Sequence, residues 1–148
     1  MFKLFSNLPI NRNLGLLVIR LGIGLVMLIA HGYGKLTGGP ESWEMVGAGM
    51  GNLGLSFAPV FWGLLAAAAE FAGSILIILG VLFRPAVLTL AFTMFVAVLF
   101  HLNLPTVNPA SGWSGASHAI ELLCVYVGLY LTGPGKYAFS LMRKRDEY

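Results

Sequence analysis

Glu70 is the only charged residue in the apolar run 57–83. A lone carboxylate near the middle of a membrane-length segment is costly and marks a functional site by default. Among its helical neighbours three, four and seven residues away, Gly63, Ala66, Ala67, Gly73 and Ser74 are small. Small residues let another helix backbone approach closely, so Glu70 is expected to face a tight bundle interior and not lipid. Six further ionisable residues lie in or at the ends of apolar runs: Arg20, His31, Lys35, His101, His118 and Glu121. Together these types suit three kinds of chemistry: holding the polar headgroup of an apolar ligand, moving protons, or binding a metal.

Arg20, Gly24, Met27, His31 and Lys35 are spaced four, three, four and four apart and share one helical face. His118 and Glu121 are three apart, and their face continues to Val125 and Gly128. His118-x-x-Glu121 with Glu70 and His101 offers metal ligands. Di-iron bundles, however, repeat Glu-x-x-His on two helices, and here the order is reversed and occurs once. A haem would need two histidines facing at one depth, with His31 and His101 as the candidates. No metal site is assigned, and haem or metal ranks below a quinone, whose headgroup needs His, Arg or carboxylate partners in an apolar pocket. A purely structural network, with charges pairing to fix helix register, is the competing reading.

The elements that must position these groups are membrane spans. The 148-residue chain is 57% hydrophobic and 10% charged, with mean hydropathy +0.83. Soluble domains carry about 25% charged residues. The expected fold is a single all-α domain over 1–148, an integral membrane four-helix bundle. Its spans are placed at about 14–36, 57–83, 85–104 and 117–132, near the length of about 20 residues that a bilayer requires. Pro85 suits a first helical turn. Ser117 is read as an N-cap, and Gly133-Pro134-Gly135 stops the last span. The short link before Pro85 makes spans two and three an antiparallel hairpin. Residues 40–50 are read as a short interfacial helix with Trp43 at headgroup level, and 104–117 as a loop.

The formal charge of +3 reflects basic residues flanking spans, which argues for membrane topology and against nucleic acid. Lys3, Arg12, Arg84, Lys136, Arg143, Lys144 and Arg145 fall on one side of a four-span arrangement and Lys35 on the other. Both termini are therefore expected in the cytoplasm, with the basic tail 136–145 against anionic lipid. Lys3 and Arg12 before an apolar run resemble a signal peptide. Arg20 interrupts that run and no small-x-small cleavage pattern follows, so an uncleaved first span is expected. Cys124 is the single cysteine, so no intrachain disulfide can form. Gly49-Met-Gly51-Asn-Leu-Gly54 matches a dinucleotide fingerprint literally, but lacks the strand that the motif requires.

Depth estimates at about 1.5 Å per residue place Glu70 near the midplane. His31, Lys35, His101, His118 and Glu121 fall toward the outer half, and Arg20 in the inner half. All but Arg20 are expected to converge on the outer half of the bundle. Arg20 lies roughly 9 Å from Glu70 along the axis, which a long side chain only partly spans. Glu70 is therefore expected to be protonated or paired with a histidine, with Arg20 nearer the inner surface.

The residues so assembled resemble the DoxX family of small bacterial and archaeal four-helix membrane proteins. The resemblance rests on His31-Gly-Tyr-Gly-Lys35-Leu36, Glu70-Phe-Ala-Gly73, Leu79-Gly80, Arg84, His101, Glu121 and Gly133-Pro-Gly-Lys-Tyr137, in this order over about 120 residues. It implies association with terminal quinol oxidases, with thiosulfate:quinone oxidoreductases, or with redox stress and thiol homeostasis. The expected function is thus a membrane subunit of a quinone-linked oxidoreductase or redox-homeostasis system in the cytoplasmic (inner) membrane. Glu70 and His101 would be catalytic. Arg20, His31, Lys35, Glu70, His101, His118 and Glu121 would bind the quinone or give proton access. Lipid, redox-enzyme partner subunits and a second copy are the expected partners. A small proton-coupled transporter and an assembly subunit without chemistry are the alternatives.

Overall fold

A computed structural model describes residues 11–139. Lys3, Arg143, Lys144 and Arg145, which entered the topology reading, lie outside them, as does most of the basic tail. The described chain is all-helical, with four helices long and apolar enough to cross a membrane. These are α1 (Arg12–Thr37), α3 (Pro59–Leu79), α4 (Phe83–Asn103) and α5 (Gly112–Thr132). A shorter helix, α2 (Gly39–Gly47), and a 3-10 segment, Ala48–Leu53, connect α1 to α3. The first span agrees with the expected 14–36, and the second is shorter at both ends than 57–83.

Each boundary has a local cause. The Asn11 side chain accepts from the Leu14 amide and caps α1. α3 ends at Gly80, whose φ of +75° allows the left-handed turn. The Val81 amide donates to Leu76 O, so the last carbonyls are satisfied in a Schellman arrangement. Chain direction then reverses within three residues, giving the expected α3–α4 hairpin.

The fourth span corrects the sequence reading. It starts at Gly112 and not at Ser117, and Ser117 lies inside the helix with its hydroxyl donating to Ser114 O. The Gly- and Ser-rich composition suggested a loop. Packing of the fully buried Ala116 favours helix instead. The connection shrinks to 104–111, held by the Asn108 side chain accepting from Ala110 N.

α3 is the central element: α1, α2 and α4 all pack on it, and α5 packs chiefly on α4. α1 and α5 face each other across a cleft. Both described chain ends lie at one end, where Arg12 donates to Thr132 O. The core contains Met27, Ile77, Val87, Leu90, Met94, Tyr126 and Leu129.

α1 is not uniform. Residues Met27–Tyr33 form a π-helical turn. The buried stripe of α1 runs Arg20, Gly24, Met27 and then jumps five residues to Gly32. The wide turn adds one residue, so Gly32 takes the place on α3 that regular spacing gives to His31. A Cβ on Gly32 would lie 2.8 Å from the Phe71 Cα, so the two backbones touch directly beside Glu70.

Candidate functional site

Glu70 is 2% exposed and ion-paired: Lys35 Nζ lies 2.7 Å from its Oε1. This corrects the expectation of a protonated or histidine-paired carboxyl. Lys35 had been placed by its Cα near the bundle end. Helical side chains lean toward their own N-terminus, so Lys35 reaches back down α1 while Glu70 reaches up the antiparallel α3. The second carboxylate oxygen, Oε2, is buried and has no partner among the described residues.

Glu70 and Lys35 line a cavity of about 600 Å³, within the range of small-molecule sites. Its walls come from α2, α3 and α4. Trp62, Phe92, Thr93 and His101 contribute to them, and Met50 comes from the 3-10 segment. The lining is predominantly apolar. Thr89 and Thr93 turn their hydroxyls to Pro85 O and Leu90 O of their own helix. His101 Nδ1 meets Ala110 O at 2.8 Å, which tethers the ring to the 104–111 connection. Trp62 Nε1 is buried without a partner.

The wall formed by α2 depends on two glycines. A Cβ on Gly63 would run into Trp43 O, and one on Gly47 into Pro59 O. Only glycine permits such backbone contact. Trp43 donates its indole N–H to Lys35 O, so α2 also holds the end of α1 beside the cavity.

The other expected residues lie elsewhere. Arg20 is fully buried at the chain-terminus end, where it donates to the carbonyls of Ile77, Ile78, Pro134 and Tyr137. It neither pairs with Glu70 nor snorkels to an interface; it closes the C-terminal end of α3 onto the 133–137 turn. His31 stacks on His118, ring centroids 5.5 Å apart, and not on His101, which removes the facing haem pair. The two rings close one end of a separate apolar cleft of about 410 Å³ between α1 and α5. His118 and Glu121 are exposed, as is Gly128; the inward stripe of α5 is Ala116, Ala119, Tyr126 and Leu129. The expected convergence on the outer half thus reduces to Lys35, Glu70 and His101 in one cavity. No group of three or more His, Cys, Asp or Glu gathers among the described residues.

Two residues escaped the sequence reading. Trp62 lines the cavity with its indole N–H buried and without a partner. Tyr126 is fully buried with an unpartnered hydroxyl and lies within range of the Glu70 charge. Buried Trp and Tyr normally find a hydrogen-bond partner, but a sequence does not show which of them go unpaired.

The family model for DoxX matches residues 15–102, more than half of the chain. The chain belongs to the DoxX family. No curated protein and no solved structure matches it. The matched stretch of this DoxX protein contains Lys35, Trp62, Glu70 and His101, hence every polar side chain singled out in the cavity. Glu121 and the Gly133–Tyr137 motif fall outside it. Four apolar membrane-length helices in a DoxX protein make it a multi-pass membrane protein in contact with lipid.

Proposed function

We propose that this DoxX protein is the membrane subunit of a quinone-linked oxidoreductase or redox-homeostasis system, with the quinone headgroup in the α2–α3–α4 cavity. The observation that carries this reading is a buried ion pair beside an apolar cavity, with one carboxylate oxygen left without a partner among the described residues. Unsatisfied buried polar atoms are rare, and in a native protein they point to a missing ligand or water. A cavity of about 600 Å³ with few polar groups suits a planar headgroup on an apolar tail. A bound quinone supplies the two-electron, two-proton chemistry that the side chains lack.

The chain's own residues then have separate tasks. Glu70 holds a headgroup oxygen, and Lys35 fixes the Glu70 rotamer. Trp62 and His101 supply polar contacts nearer the α2 end. His31 and His118, stacked on each other at the α1–α5 cleft, give proton access toward the start of α5. Arg20 and Glu121 have no part in the site. We place the protein in the cytoplasmic membrane with both termini inside, on the strength of Arg12, Arg84 and Lys136 at one end. A redox enzyme at its surface would exchange electrons with the quinone.

Photolabelling with a short-chain azidoquinone in lipid nanodiscs tests the reading. Peptides of α3 and α4 should be labelled, and excess unlabelled quinone should protect them. Ala69→Phe, which fills the cavity without touching its polar groups, should abolish labelling. Labelling that is absent, or unchanged in folded Ala69→Phe protein, would remove the cavity as a quinone site.

A further inference from the structure

Among the described residues three buried side-chain atoms have no hydrogen-bond partner: Trp62 Nε1, Glu70 Oε2 and the Tyr126 hydroxyl. Trp62 is eight residues before Glu70, about 12 Å away along α3. The other two lie at one level. α3 and α5 start at the same end of the bundle, because each runs antiparallel to α4. Glu70 is 11 residues into α3 and Tyr126 is 14 residues into α5, about 17 Å and about 21 Å from those starts. Tyrosine is the longer side chain and leans toward the start of its helix, so its hydroxyl comes back to the level of the carboxylate. Glu70 is 2% exposed and Tyr126 0%, and Tyr126 lies within range of the Glu70 charge.

The two atoms are complementary. An ionised carboxylate oxygen only accepts, and a phenolic O–H donates. The other donors near Glu70 are spent: Lys35 bonds Oε1, and the Ser74 hydroxyl donates to Glu70 O. Tyr126 and Glu70 do not bond each other directly. A polar gap of this kind in a protein interior is closed by an ordered water with at least two polar partners. We infer that one internal water joins Tyr126 to Glu70, accepting from the tyrosine hydroxyl and donating to Oε2.

Tyr126 is thereby a positioning residue for the buried carboxylate. It holds the second oxygen of Glu70 through the water, as Lys35 holds the first directly. The network joins α1, α3 and α5. It ties α5, which packs chiefly on α4, to the central helix α3. A carboxylate offers about four lone-pair sites, so Lys35 and one water leave others for a ligand in the cavity. The inference therefore does not rest on the quinone reading, and its test uses no quinone.

Infrared difference spectra of the protein in nanodiscs test it, recorded in deuterated water of ordinary and of heavy oxygen. The native protein should show a water O–D band at the low frequency of a charge-assisted bond, and the band should move with the oxygen isotope. Tyr126→Phe removes a single oxygen atom. It should abolish that band and shift the Glu70 carboxylate stretch, which is assigned by its loss in Glu70→Gln. Tyr130→Phe, at an exposed position one turn further on, should leave both bands as in the native protein. If Tyr126→Phe does not fold, Glu70→Gln decides: the water band must rise to the frequency of a bond to a neutral amide, and an unmoved band overturns the inference. A carboxylate stretch that shifts in Tyr126→Phe with no isotope-sensitive band in the native protein shows a direct bond and overturns the water. Both bands unchanged in folded Tyr126→Phe overturn the pairing itself.

Discussion

Lys35 and Glu70 meet from helices that run in opposite directions, Nζ to Oε1 at 2.7 Å. Each side chain leans toward the N-terminus of its own helix. The two therefore converge between their Cα positions and join α1 to α3 at the edge of the cavity. The approach is possible because Gly32, three residues before Lys35, rests on the backbone of Glu70 and Phe71. The pair, the close crossing and the π turn form one unit.

Lys35→Met should destabilise the protein by about 2–3 kcal/mol, because it leaves a buried carboxylate without its cation. The value sits below the range of about 3–5 kcal/mol for a fully buried pair because Lys35 is 30% exposed. Lys35→Met combined with Glu70→Met should recover most of the loss. Thermal unfolding midpoints in one detergent check both. Equal instability of the double variant would show that the helix contact, and not the charge, was damaged.

Gly32→Ala should cost about 1–3 kcal/mol by overpacking the α1–α3 crossing. Gly34→Ala, two residues on, meets nothing within 4 Å and should be neutral or slightly stabilising. The two unfolding curves measured side by side test whether the crossing is as close as described.

Gly63→Ala should displace α2, since a Cβ would enter the Trp43 carbonyl. Hydrogen exchange in 39–54 should accelerate, and azidoquinone labelling should fall at least tenfold as the cavity wall departs. Gly51→Ala, with open space at its Cβ, is the matched control. Retained protection of 39–54 in Gly63→Ala would contradict the backbone contact.

Arg20→Met should lower stability by about 2–4 kcal/mol. It leaves the carbonyls of Ile77, Ile78, Pro134 and Tyr137 without the guanidinium that bonds them. Arg20→Lys should recover only part, because an ammonium cannot present the same planar fork. Photolabelling per folded molecule should stay at the native level, since Arg20 does not line the cavity. A specific loss of labelling at native stability would return Arg20 to the site.

The spans, their hairpin and the terminal stop could be read directly from the chain. Hydropathy over about 20 residues, Gly80 before a reversal and Gly133-Pro134-Gly135 are local signals, and a bilayer leaves helices few alternatives. Glu70 was legible for the same reason: a buried carboxylate among small residues is conspicuous wherever its helix lies. Its partner was not. Regular spacing put His31 and Lys35 on one face, and the π turn divides them, sending His31 to His118 and Lys35 to Glu70. On α5, His118 and Glu121 share a face as their spacing requires, but which face turns inward is settled by packing against α4. That packing selects Ala119, Tyr126 and Leu129. The cavity itself needs α2 pressed on α3 through Gly47 and Gly63, residues 16 apart in sequence. Sequence determined which groups are present and roughly how deep they sit. Tertiary structure alone decided which of them meet, because a single wide turn or a backbone-to-backbone contact rotates side chains by more than any periodicity reveals.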